Sequence, residues 1–155
     1  MSKKIDKRYL KKLNHYWNKM EKYFIQNLDK LDINSWFDMH HIHTDWEGKG
    51  NKNLVNKKNS IKLAYKCLHY TEQFSKKYPK PIQTWLFIHE NSFEDAIYFH
   101  SKNENHTMYP YDFENSNTTW NSTENTFLNY IVDISIHKIG KLTNQFGTIY
   151  IVTKI

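Results

Sequence analysis

This chain of 155 residues has very few of the residues on which several functional classes depend. Its single cysteine, Cys67, cannot form an internal disulfide, and its position in a helical pattern predicts a small buried thiol. Its single arginine, Arg8, argues against specific nucleic-acid binding, because recognition of phosphates and guanine edges relies on guanidinium groups. No apolar run reaches the roughly 18 residues of a membrane span, and the lysine-rich start lacks the apolar core of a secretory signal. We therefore expect a cytoplasmic protein whose partner is neither a membrane nor a specific nucleic-acid sequence.

Cofactor motifs are also missing from the sequence. It has no glycine-rich phosphate loop, no H-E-x-x-H and no paired C-x-x-C. Cys67 and His69 are two residues apart in a predicted helix, so they do not face each other as a nucleophile and base would. We expect no bound cofactor and no nucleophilic catalysis.

What the chain does contain is enough apolar and aromatic surface for one core. Aromatic residues make up 16% of it and hydrophobic residues 39%, which is more than a disordered chain carries. Its length suits one ordinary domain and is too short for two. We predict a single domain over residues 1–155.

Positive charge is concentrated in the first element. Residues 1–30 contain nine basic and three acidic residues, whereas the rest of the chain has thirteen of each, so the net charge of +6 comes from the beginning of the chain. Such a surface suits an acidic partner and would speed its encounter by electrostatic steering. The alternative is a solvated outer helix face with no binding role, which is the commoner case.

Hydrophobic periodicity predicts two helices. Apolar residues from Leu10 to Leu31 recur at spacings of three and four, which indicates an amphipathic helix that fades at residues 32–35. A second helix is predicted between about Asn53 and Lys77, with one buried side made of Ile61, Ala64, Tyr65, Leu68 and Thr71. The two prolines after Tyr78 end it.

Strands are predicted in the second half. The continuous apolar run within 82–89 indicates a central strand covered on both faces, and 96–100 indicates an antiparallel neighbour. A short helix from about residue 123 leads to apolar alternation at Ile134 and Ile136, and 148–153 forms the last strand. The predicted fold is α+β, with two N-terminal helices packed on a small, mostly antiparallel sheet and a short helix before the C-terminal strand. Residues 101–125, rich in Asn, Ser and Thr, are predicted to form a long surface loop. Tyr109-Pro110-Tyr111 and Trp120 interrupt it and are candidates for pinning it to the body of the protein.

The densest chemistry lies in the segment W-F-D-M-H-H-I-H-T-D-W-E-G-K-G-N, residues 36–51. If it runs extended, His41, His43 and Asp45 share one face. With His100 at the end of a strand, two or three imidazoles and a carboxylate would suit Zn²⁺ or a related ion in a metal-dependent hydrolase or nuclease, with Glu47 as the general base. The commoner alternative is that these histidines are structural and hydrogen-bonded while Trp36, Phe37 and Trp46 pack on the first helix.

In motif order, this segment and the later I-Y-F-H-S-K-N-E-N-H-T-M-Y-P resemble small bacterial immunity proteins of polymorphic toxin and contact-dependent growth inhibition systems. The resemblance covers about residues 36–110. It implies a protein without catalytic activity that binds a cognate toxin domain and blocks it. Immunity proteins against nuclease toxins are often acidic, whereas this chain is basic. The expected toxin therefore has an acidic surface or is bound mainly through shape and aromatic contacts.

The expected toxin-binding residues are lysines of the first helix and aromatics of the 101–125 loop, because Tyr and Trp dominate interface energetics. They are Lys7, Lys11, Lys22, Tyr109, Tyr111 and Trp120.

Overall fold

The computed structural model describes residues 7–38, 57–91, 95–101, 119–120, 127–144 and 147–155. These segments contain the helices α1 (Lys7–Asn27) and α2 (Lys57–Ser75) and two short 3-10 helices, Leu28–Lys30 and Phe127–Tyr130. Their strands are β1 (Ser35–Asp38), β2 (Ile82–His89), β3 (Ala96–Ser101), β4 (Thr119–Trp120), β5 (His137–Asn144) and β6 (Gly147–Lys154).

The described strands form one antiparallel sheet in the order β1-β3-β2-β6-β5-β4. β2 lies inside it, with Trp85 opposite Tyr98 of β3 on one side and Thr153 of β6 on the other. The central position of β2 and its antiparallel pairing with β3 are both confirmed. Two helices and an antiparallel sheet make the fold α+β.

Alternating side chains along the strands form one apolar cluster on each face of the sheet. The first, the helix-side core, joins Phe24 of α1 and Leu68 of α2 to Leu86, Ile97 and Val152 of the strands. The second, the far-side core, contains the buried residues Trp85, Phe87, Tyr98, Leu142, Ile149 and Ile151. Successive strand residues point to opposite faces, so the apolar run of β2 supplies both cores.

The predicted helix faces are largely confirmed. The five α2 residues expected on one side are all buried, and on α1 Leu13, Met20 and Phe24 are buried. Leu10, expected in the same stripe, is 40% exposed, because it lies in the first turn of the helix. Neither described helix has the combination of length and apolar content that a membrane crossing requires.

Three local expectations are wrong. Phe37 packs on Phe24 of α1 with ring centroids 4.7 Å apart, but Trp36 points to the opposite face and packs on Phe87 and Tyr98. Adjacent residues of a strand cannot face the same helix, and residues 35–38 form a strand. Ile134 and Ile136 are exposed and precede β5 instead of alternating within a strand. Within the predicted 101–125 loop, residues 119–120 form β4 against β5.

Candidate functional site

The outer face of α1 carries the exposed positive charge that the sequence predicted. All six of its basic side chains are exposed to solvent. With 3.6 residues per turn, Lys7, Lys11 and Lys22 fall within roughly 60° of one another around the helix axis. His15 and Asn18 lie in the same sector, and a shallow groove along it is lined by Lys7, Lys11, His15 and Asn18 among others. We call these five residues the basic face.

The only acidic residue of α1, Glu21, lies at the edge of the basic face and contacts α2. Glu21 accepts a hydrogen bond at 2.9 Å from Lys66 and another at 3.0 Å from the Tyr70 hydroxyl, both on α2. Lys66 also lies 5.5 Å from the centre of the Trp17 ring. The one negative charge of the helix is therefore paired with Lys66 of α2, and α1 has no exposed acidic side chain.

Exposed apolar side chains accompany the lysines. Leu10 is 40%, Tyr23 51% and Ile25 45% exposed. Isolated exposed apolar residues are ordinary on a surface, but next to a cationic strip they supply the desolvated contacts that charge pairs cannot. The combination suits a protein surface of opposite charge.

The aromatic residues chosen from the sequence are not all described. Tyr109 and Tyr111 lie outside the described residues. Trp120 is half-buried in β4, with its ring 6.0 Å from that of Trp85 and the Lys138 ammonium 4.5 Å from its centre. Its assignment to a surface loop is wrong, because strand pairing fixes it at the sheet edge. Its contact with a toxin stays a prediction.

Of the sequence-predicted histidine cluster, only His100 is described; His41, His43 and Asp45 lie outside the described residues, as does Glu47. His100 is buried in β3, stacks on Tyr98 at 5.5 Å, and donates from Nδ1 to the Asn34 Oδ1 at 3.2 Å. The same Asn34 oxygen accepts the backbone N–H of Ser101 at 3.1 Å. His100 thus takes part in the structural link between β3 and the start of β1.

A different titratable cluster connects α2 with the start of β5. His137 Nε2 lies 2.7 Å from Glu72 Oε1, and His137 Nδ1 lies 2.9 Å from the Tyr65 hydroxyl. That hydroxyl accepts the backbone N–H of Asp133 at 3.1 Å, so its own proton is available to Nδ1. With Nε2 as donor to Glu72 and Nδ1 as acceptor from Tyr65, every one of these bonds is satisfied. The ligand atoms of His69, Glu72 and His137 all lie within 4.8 Å of one another.

Burial is the main influence on the pKa of His69 and on that of the Tyr65 hydroxyl. It lowers the pKa of His69, although the nearby Glu72 carboxylate acts in the opposite direction. It also raises the pKa of the Tyr65 hydroxyl. In both groups burial disfavours the charged form.

Similarity to known proteins assigns no function to the basic face or to the cluster of His69, Glu72 and His137. No family model, curated protein or solved structure matches this chain. Function therefore rests on the chemistry of the residues themselves.

Sequence reasoning missed the cluster of His69, Glu72 and His137. His69 and Glu72 are three apart on a predicted helix and therefore share a face, which was a usable signal. His137 joins them only because β5 begins beside α2, 68 residues later in the chain, and no local pattern reveals that. The sequence pattern drew attention to His69 only as a neighbour of Cys67. The Cys67 thiol is fully buried, and that burial raises its pKa. Such a thiol is structural, as expected.

Proposed function

We propose that this protein is a cytoplasmic immunity protein that binds and neutralises a cognate bacterial toxin domain without catalysis of its own. The observation that carries the proposal is the basic face of α1, a solvent-exposed strip of lysines whose helix has no outward acid. The resemblance of residues 36–110 to small immunity proteins supports the kind of partner. A toxin with an acidic surface would complement the strip.

Charge on such a strip acts mainly on the association rate. Complementary fields raise rates of encounter by about 10- to 1,000-fold at low ionic strength. At 0.1 M salt these fields are screened beyond a Debye length of about 10 Å. Apolar contacts near the centre of an interface then determine how long the complex lasts. Leu10, Tyr23 and Ile25 are the described residues of α1 that offer such contacts.

The first test is whether the protein protects a cell. The proposal predicts that a large secreted protein with a toxic C-terminal domain is encoded next to this gene. That domain is expressed with and without the full chain, and growth is measured. We expect growth to recover when the two are expressed together. A toxin domain that kills equally in both cases would contradict the proposal.

The second test locates the interface. Lys7→Glu, Lys11→Glu and Lys22→Glu together remove six units from the net charge of +6. We expect the association rate with the toxin domain to fall by about tenfold or more at low salt and to converge with wild type in high salt. Stopped-flow or surface plasmon resonance measures the association rate at low and at high salt.

A matched control separates position from net charge. Lys58, Lys77 and Lys80 are also exposed but lie on α2 and the turn after it. Reversing them changes net charge by the same amount, and we expect a much smaller effect on the rate. If the two triple variants slow association equally, the basic face is not the interface.

A metal-dependent hydrolase or nuclease that uses His41, His43, Asp45 and His100 is the alternative proposal. It predicts catalytic turnover by the purified chain, whereas an immunity protein acts stoichiometrically. A single measurement of toxin inhibition against protein concentration separates the two.

A further inference from the structure

We propose that His69, Glu72 and His137 bind one divalent transition-metal ion, with zinc the best match to their chemistry. Two imidazoles and one carboxylate are a common protein ligand set for Zn²⁺, and they leave a fourth position open. The site lies between α2 and β5, away from the basic face. It goes beyond toxin binding and does not depend on it.

The geometry places the three ligands around one point. Their ligand atoms lie within 4.8 Å of one another, and a metal with bonds of about 2.0–2.2 Å needs only small side-chain rotations to reach all three. His69 and Glu72 come from adjacent turns of one rigid helix, and His137 is the first residue of a strand. Ligands on regular elements are held more accurately than ligands on loops.

His69 is the residue that a purely structural network does not explain. Glu72 and His137 bond to each other, and Tyr65 bonds to His137, but His69 contributes only ring contacts within the described residues. Its ring lies edge-on to Tyr65 at 4.6 Å and to His137 at 5.2 Å. Its imidazole nitrogen lies beside a carboxylate and a second imidazole, where it can coordinate a metal ion together with them.

One of the three ligands, Glu72, borders a surface cleft. Glu72 lines a cleft of about 420 Å³ together with Ser75, Gln83, Lys138 and Lys154. The lysines on its rim oppose a bare cation but favour an anion, such as hydroxide or a carboxylate, in the open coordination position.

Binding requires one proton to move. In the arrangement that satisfies the metal-free hydrogen bonds the proton of His137 is on Nε2, and a metal at Nε2 would shift that proton to Nδ1. Tyr65 keeps its place as partner, and its oxygen now accepts from Nδ1. Such outer partners fix the orientation of metal-binding histidines.

The experiment uses the full chain purified without an affinity tag. Zn²⁺ is titrated by calorimetry, and Co²⁺ is added separately because tetrahedral Co²⁺ has a characteristic visible absorption. We expect one ion per chain. We expect His69→Gln and Glu72→Gln to weaken binding by more than the roughly 10- to 100-fold that loss of an outer partner costs.

Two controls locate the ion. His15→Gln changes an exposed histidine of α1 and should leave the affinity for Zn²⁺ unchanged. His43→Gln tests the cluster that the sequence predicted. The proposal would be overturned if His43→Gln lost the ion while His69→Gln retained it. It would also be overturned if the wild-type protein bound no ion, or bound one weakly with an affinity that His69→Gln did not change. Circular dichroism checks the fold, and if Glu72→Gln unfolds, His69→Gln still decides the outcome because its ring makes no hydrogen bond within the described residues.

Discussion

Asn34 shows how one side chain can set the position of two strands. Its backbone φ of 64° lies in the left-handed region, which asparagine tolerates better than most residues. From there its side-chain oxygen reaches both His100 and the Ser101 backbone at the end of β3. The turn before β1 is therefore tied to the strand that β1 pairs with.

Asn34→Ala should destabilise the protein by about 2–4 kcal/mol, since alanine loses both hydrogen bonds and resists the left-handed conformation. Asn34→Gly keeps the backbone freedom and loses only the bonds, so its cost should be clearly smaller. Urea unfolding followed by circular dichroism measures both. Equal stability of the two variants would show that backbone conformation is not part of the cost, and wild-type stability of Asn34→Ala would refute the link.

The role of His100 could not be read from the sequence for the same reason. Its position at a strand end was predicted, and position alone suggested a ligand. Its partner is 66 residues away and meets it only through the register of β1 with β3. Local patterns do not encode that register, so the sequence gives the residue type and the structure gives its role.

Among the elements, α1 and α2 are joined by the contact of Glu21 with Lys66 and Tyr70. An exposed ion pair contributes little, but Glu21 is only 15% exposed at its side chain and accepts two hydrogen bonds. The contact also orients α1 so that its lysines face outward.

Glu21→Ala should therefore lower the free energy of unfolding by about 1–2 kcal/mol, and Glu21→Gln by less because it can still accept from Tyr70. Gln26→Ala, an exposed change on the same helix, serves as the control and should stay within about 0.5 kcal/mol of wild type. Denaturant melts measure all three. A Glu21→Ala variant as stable as the control would mean that apolar packing alone joins the helices.

The helices and strands differ in how clearly their sequence patterns predict them. α1, α2, β2, β3 and β6 each have a strong period or apolar run, and all were predicted close to their observed bounds. β5 has one apolar residue for each core, Ile139 and Leu142, so it shows no alternation. It becomes a strand because β6 pairs along its whole length, and β4 depends in turn on β5.

At the scale of the whole molecule, the helix-side core includes residues of both helices and of strands from across the sheet. Such sharing predicts that the chain unfolds as one cooperative unit, as expected of a single domain. Trp17, Trp36, Trp85 and Trp120 report on α1, β1, β2 and β4 respectively.

Thermal unfolding followed by tryptophan fluorescence should accordingly coincide with unfolding followed by far-ultraviolet circular dichroism. Matching midpoints are the expected result. Two separated transitions would indicate that part of the chain folds independently, and would contradict the prediction of one domain.

The order of strands in the sheet also bears on synthesis at the ribosome. β6 is the last strand along the sequence, yet it lies between β2 and β5. Until residues 147–154 emerge, β2 has no partner on one side and its row of backbone donors and acceptors is open to pairing with other chains. A nascent chain of this protein therefore has an interval in which it must either be bound by chaperones or complete its synthesis and folding quickly to avoid aggregation.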